Sequence, residues 1–174
     1  MLTDTVNIIL ATLVLLSQIF FVLGILYLLF FRKKFPVVLS VFSKNGILFS
    51  FIVAMVATLG SLYYSNVAGF NPCDLCWFQR IFMYPEVLLL GLALYKKESK
   101  IIDYALSLAV GGWIISAYHN YTFYKVVSST FCGIGESCTT RYVIEFGYIT
   151  IPMMALTGFT LIIALLLTQK LTKF

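Results

Sequence analysis

Five apolar runs, each long enough to cross a bilayer, divide this chain almost from end to end: about 6–31, 46–66, 74–95, 101–123 and 146–168. A predominantly apolar stretch of roughly 17–25 residues spans the hydrocarbon of a membrane as a helix. Lipid offers the backbone no hydrogen-bonding partner, so each run must satisfy its own N–H and C=O groups. The runs lack the period-two alternation of membrane barrel strands. The expected fold is an all-α integral membrane protein. Composition leaves little room for another class. The 174 residues are 61% hydrophobic and 11% charged, and mean hydropathy is +0.98.

Basic residues orient the spans. Arg32, Lys33, Lys34 and Lys44 lie between the first two runs, Lys96, Lys97 and Lys100 between the third and fourth, and Lys170 and Lys173 near the end. Nine of the twelve Lys and Arg therefore fall on one side, which the positive-inside rule makes cytoplasmic. Five spans then place the N-terminus outside and the C-terminus inside. The net charge of +5 reflects this topology, and the basic residues form no single face for nucleic acid. The first run lacks a basic n-region and is followed by Arg32-Lys33-Lys34, so it is expected to be a retained helix and not a cleaved leader. Phe35–Ser43 is short, apolar and interrupted by Pro36, as suits an interfacial segment.

All four cysteines fall at the other end, where disulfides persist. Cys73 and Cys76 follow a loop at about 67–72, and Cys132 and Cys138 lie in a loop at about 124–145. Four cysteines allow three pairings, and spacing does not choose among them. A helix beginning near Pro72 would put the first pair among free backbone N–H groups, which favour thiolate over thiol. Arg80 is one turn beyond Cys76, on the same helix face. It could stabilise a Cys76 thiolate or a charge developing on an adjacent acceptor; the plainer reading is an arginine at the lipid headgroups. Cys132 and Cys138 could equally form a static loop clamp. A zinc cage of all four cysteines is disfavoured on an oxidising surface, and no metal is expected. His119, the only histidine, is expected at the depth of Cys76 and Arg80, either as a proton donor or as a packed core residue. Aromatics such as Tyr63, Tyr64, Phe70, Trp77, Phe78, Tyr118, Tyr121, Phe123 and Tyr124 form an interfacial belt, a subset of which could wall a flat apolar cofactor. Glu86 is a carboxyl near mid-membrane whose partner spacing does not reveal.

The stretch from Pro72 through Cys73-Asp74-Leu75-Cys76, Arg80 and Met83-Tyr84-Pro85 resembles the signature of the disulfide bond formation protein B (DsbB) family. Gly112-Trp113, Tyr118-His119 and Phe146-Gly147 through Thr150-Ile151-Pro152 are similar to its later motifs, in the short-loop type. The resemblance covers roughly 46–168. It implies a four-helix transmembrane bundle, here with one additional N-terminal transmembrane helix. Residues 1–45 would carry that helix and a cytoplasmic linker, and 46–174 the redox domain. It further implies an enzyme of a bacterial cell membrane, a thiol:quinone oxidoreductase. Its partner would be a separate extracytoplasmic thioredoxin-fold oxidase, and its cofactor a membrane quinone, ubiquinone or menaquinone. Under that resemblance Cys73 and Cys76 are the quinone-proximal pair, Cys132 and Cys138 face the partner, Cys138 exchanges with Cys73, and Arg80 and His119 belong to the quinone site. The additional helix and Gln79, where some members are acidic, are departures from the pattern.

Two other readings stand beside this one. A vitamin K epoxide reductase-like enzyme shares the redox logic, but its loop cysteines precede the membrane Cys-x-x-Cys pair, whereas here Cys73 and Cys76 come first. A noncatalytic scaffold with structural disulfides would leave the Cys76–Arg80 spacing without a purpose.

Overall fold

The computed structural model describes residues 2–30, 42, 44–98, 100–125, 138 and 140–172. Five long helices account for most of them: α1 (Leu2–Phe30), α2 (Gly46–Asn66), α3 (Asp74–Lys96), α4 (Ile101–Lys125) and α5 (Ile151–Thr172). All five are long and apolar enough to cross a membrane. The chain is an all-α, multi-pass membrane protein. Phe35–Ser43, read from sequence as an interfacial segment, lies almost wholly outside the described residues.

The middle helices match the apolar runs closely, because lipid-facing and core-facing positions alike are apolar and only the turn residues interrupt them. The last helix does not. It starts at Ile151, not near 146. Phe146 (φ 51°) and Gly147 (φ 80°) adopt the left-handed region, and Glu145 and Ile149 bridge across them. A helix cannot pass through that turn. It begins only once Thr150 accepts the Met154 N–H through its carbonyl, with Pro152 in the first turn, where a missing N–H costs nothing.

Helices α2 to α5 form a closed ring in which α2 packs on α3, α3 on α4, α4 on α5, and α5 back on α2. Ala54, Met83, Leu90, Ala105, Ala109, Phe159, Ile162 and Leu166 fill its centre. Small residues set the closest approaches. A Cβ on Gly112 would lie 2.2 Å from the Phe159 ring, and one on Gly46 would lie 2.6 Å from the Leu165 carbonyl. Lipid removes most of the hydrophobic drive between helices, so such close packing and interhelical hydrogen bonds hold the ring. Gln169 accepts the free N–H of Ile47 at the start of α2 (2.7 Å), and Asn120 on α4 donates to the Pro152 carbonyl on α5 (2.8 Å).

Outside the ring, α1 makes its main contact with α5. Gln18 donates to Thr157 (2.8 Å) and accepts from Tyr148 (2.8 Å), both near the cysteine end of α5. About 24 Å of α1 precedes Gln18 at 1.5 Å per residue. The middle of α1, not its first turn, therefore meets that end, and the helix is shifted along the ring or tilted against it.

The Gly112–Phe159 contact yields a stability prediction. Gly112→Ala should destabilise the bundle by about 1–3 kcal/mol, as overpacking of a filled core does. Thermal unfolding in detergent should show a lowered midpoint, partly restored when Phe159→Leu is added. An unchanged midpoint would contradict the packing account.

Candidate redox site

The loop into α3 brings the first cysteine pair to the end of the bundle. Cys73 is the N-cap of α3, in extended conformation (φ −69°, ψ 168°), and Cys76 lies in the first turn. Pro72 thus precedes the helix instead of sitting in its first turn. Both thiols are free, with sulfurs 2.9 Å apart. At that separation one proton can bridge the two sulfurs, with either as its donor. That hydrogen bond is the chief reason the Cys73 thiol is held well below its ordinary pKa, against the opposing effect of burial; His119 lowers it further. Cys73 is buried, while Cys76 is partly open to the cavity described below.

His119 lies on the inner face of α4 and is 2% exposed. Its Nδ1 is 3.2 Å from the Gln79 amide nitrogen, and its Nε2 is 3.3 Å from the Cys138 carbonyl and 3.8 Å from Cys73 Sγ. These contacts agree on one tautomer. Gln79 donates to Nδ1, and the proton on Nε2 points at the Cys138 carbonyl and the Cys73 sulfur. His119 is therefore both packed and placed for chemistry. It faces the buried sulfur of the pair, while Arg80 lies nearer Cys76.

Cys138 is disulfide-bonded and 5% exposed. It packs with Cys73 and Leu75 in one buried cluster, against which Cys76 and Ile115 also rest. Residues far apart in sequence thus converge on Cys73. Cys132 lies outside the described residues.

Arg80 extends from α3 to α2. Its Nε donates to the Ser61 hydroxyl (2.9 Å) and a terminal nitrogen donates to the Ser61 carbonyl (3.0 Å). The guanidinium lies 5.0 Å from the Trp77 ring centroid. Its charge acts on Cys76 through space, without a hydrogen bond to the sulfur.

Cys73, Cys76, Arg80, His119 and Cys138 all line one cavity of about 510 Å³. Ligand sites are typically about 300–1,000 Å³. Ile52, Val53, Val56, Met83, Met154 and Leu161 make its deeper walls apolar. At the cysteine end Tyr64, Phe70 and Tyr142 stack in series, with centroids 5.6 and 4.7 Å apart and planes within 12° and 16°. Of the aromatics marked in the sequence, Tyr64, Phe70 and Phe123 line the cavity. Trp77, Phe78, Tyr118, Tyr121 and Tyr124 are exposed, as a belt requires.

Sequence reasoning passed over Ser61 and Tyr142 and read Gln79 only as a departure. The helical spacing of Cys76, Gln79 and Arg80 was an available signal for Gln79. Nothing in the spacing ties Ser61 to Arg80. Glu86 is fully buried on α3, away from this cavity, and neither of its oxygens has a hydrogen-bond partner among the described residues. The sulfurs of Cys73 and Cys76 and a ring nitrogen of His119 lie within 4.8 Å of one another, a set able to hold a soft divalent ion while the pair is reduced.

Residues 43–169 match the family described as disulfide bond formation protein DsbB. A Bacillus subtilis (strain 168) protein called disulfide bond formation protein C is 44% identical over 135 residues, covering 73% of this chain and 96% of the relative. A Bacillus anthracis protein called probable disulfide formation protein C 1 is 49% identical over 109 residues, 61% of this chain and 78% of the relative. The SPbeta prophage-derived disulfide bond formation protein B of B. subtilis is 38% identical over 120 residues, 68% and 81% of the two chains. No solved structure matches. Helix α1 lies outside the family match.

The Cys73 thiolate yields a pH prediction. Its pKa is lowered, so the nucleophilic form persists from neutral into acid pH, where an ordinary thiol is already protonated. Iodoacetamide labelling of Cys73 in the reduced protein, followed by mass spectrometry, should stay rapid well below pH 7. In His119→Ala the fall-off should move up by about one unit, the scale of a lost charge-assisted hydrogen bond. Labelling that follows an ordinary thiol titration in both proteins would refute the assignment.

Proposed function

Because the chain belongs to the disulfide bond formation protein DsbB family, we propose that it is a membrane thiol:quinone oxidoreductase. It reoxidises a separate thioredoxin-fold oxidase and so sustains disulfide formation in exported proteins. One arrangement carries the reading: a free Cys73–Cys76 pair opens on an apolar cavity beside Arg80, with disulfide-bonded Cys138 packed behind Cys73. Residues 46–174 are taken as the redox domain, in keeping with a family match that begins after α1. The distribution of basic residues supports a bacterial cell membrane topology with the cysteine end outside and the C-terminus in the cytoplasm.

The relay uses two disulfides. A partner thiolate attacks the Cys132–Cys138 disulfide, Cys132 taking the mixed disulfide, and the partner's second thiol releases itself oxidised. The outer pair now holds two electrons as thiols. Cys138 attacks Cys73 of an oxidised Cys73–Cys76 pair and displaces Cys76. Cys132 then attacks Cys138 and restores the outer disulfide, leaving the inner pair reduced with one proton between its sulfurs. Free Cys73 and Cys76 beside a disulfide-bonded Cys138 fit that stage.

The cavity suits a quinone by shape and by donor chemistry: stacked aromatics and apolar walls for a flat lipophilic ring, and a guanidinium for oxygen that becomes anionic. A quinone held there, ubiquinone or menaquinone, would supply a two-electron, two-proton acceptor. Proton transfer across the 2.9 Å contact moves the negative charge from Cys73 to Cys76, the sulfur nearer Arg80. Cys76 is the donor sulfur, and the Cys73–Cys76 disulfide re-forms as the electrons leave. Of the two protons, one is the proton that the pair shares and the other comes from water; His119, held by Gln79 with Nε2 toward Cys73, steadies the negative charge on that sulfur. Arg80, tethered by Ser61, stabilises the developing charge.

Reconstitution with quinone and a reduced thioredoxin-fold partner tests the reading. Quinone reduction should require all four cysteines, and Cys76→Ser should abolish it. Arg80→Met should lower kcat/KM for quinone ~100-fold, the scale of a lost oxyanion donor. Ser61→Ala should cost only several-fold, since it orients Arg80 without meeting the acceptor. Undiminished turnover in Cys76→Ser would end the mechanism, and inert cysteines throughout would return the protein to a scaffold role.

A further inference from the structure

We propose that α1 is the outer wall of the acceptor site, with Leu10, Leu13, Val14 and Ser17 lying along the apolar tail of a quinone whose ring sits at Cys76 and Arg80. The assignment rests on the oxidoreductase reading and extends it to a helix outside the family match.

The cavity is longer than a ring requires. Along α2 its lining runs from Tyr64 to Ile52, about 18 Å at 1.5 Å per residue. A single ring is only a few ångströms across. The polar lining is concentrated at the cysteine end, and the inner reach is walled by aliphatic side chains, as suits an isoprenoid chain.

Helix α1 lines one side of the cavity through two neighbouring stripes. Asn7 and Ala11 are buried, and Gln18 is anchored to Thr157 and Tyr148. These positions recur at intervals of four and seven, one helix face. Leu10, Leu13, Val14 and Ser17 form the adjoining face and line the cavity. Beyond Gln18 the helix offers mostly exposed apolar side chains, among them Phe20, Val22, Leu23 and Leu26.

The α1 wall meets α2 where α2 carries glycine. A Cβ on Gly60 would lie 3.3 Å from a Leu10 methyl, so a larger side chain there would crowd Leu10 at the cavity wall. Lipid is as apolar as this wall, so α1 selects by shape and not by hydrophobic gain. Filling the inner reach should exclude a tail and spare a bare ring.

The test uses the full-length protein in lipid nanodiscs and two quinones with the same ring, one with a long isoprenoid tail and one with a methyl group in its place. Binding is read by quenching of intrinsic tryptophan fluorescence, and contact by a photoreactive azido group on the tail, mapped by mass spectrometry. In the wild type the label should be recovered on the Leu10–Ser17 segment. Val14→Phe should raise Kd for the tailed quinone ~10-fold and for the tail-less one less than ~3-fold. Gly60→Val crowds Leu10 from α2 and should show the same split. Two quinones bound with no label on α1, or weakened equally by both substitutions, would overturn the assignment alone. Wild-type protein that binds neither quinone would overturn the oxidoreductase reading and the assignment with it.

Discussion

Lipid supplies no hydrogen bonds, and the architecture follows from that constraint. Backbone that crosses the bilayer must be helical, so irregular backbone collects at the helix ends. At one end it forms the loop into Cys73, the segment around Cys138 and the left-handed turn at Phe146-Gly147. The reactive groups gather there because only there can the chain leave helical geometry. A thiolate also finds free helix N–H groups at such an end, at the start of α3.

Around that end the polar side chains do separate jobs. Gln79 and the Cys138 carbonyl hold His119 toward Cys73, and Ser61 holds Arg80 beside the cavity. The two sulfurs share one proton across 2.9 Å. Negative charge can rest on the buried sulfur and move to the accessible one without either leaving its place. The cationic group stands where charge would arrive on an acceptor and not where it rests on the protein. That division suits a site that must store two electrons and then release them.

The five helical spans, the three middle ones with their limits, could be read from the chain because apolar run length is a local property. The start of α5 was misplaced because Phe146, Tyr148 and Ile149 are as apolar as the helix that follows, and φ angles near 51° and 80° leave little trace in hydropathy. The site divides similarly. Cys73, Cys76 and Arg80 share one helix, so spacing exposed their relation. Spacing could not show that the arginine turns to Ser61, nineteen positions earlier, or that His119 faces Cys73.

Composition and spacing were enough for a five-span helical membrane protein with two cysteine pairs at one end and basic residues at the other, because bilayer thickness and helix pitch convert directly into residue counts. Packing assigned the rest: which sulfur is buried and which faces the cavity, which polar residues hold the histidine and arginine, and α1 as a wall of the cavity. Those properties depend on distances between residues remote along the chain, such as Cys73 to His119 and Gln18 to Thr157. No periodicity encodes such distances, and they exist only once the helices have packed.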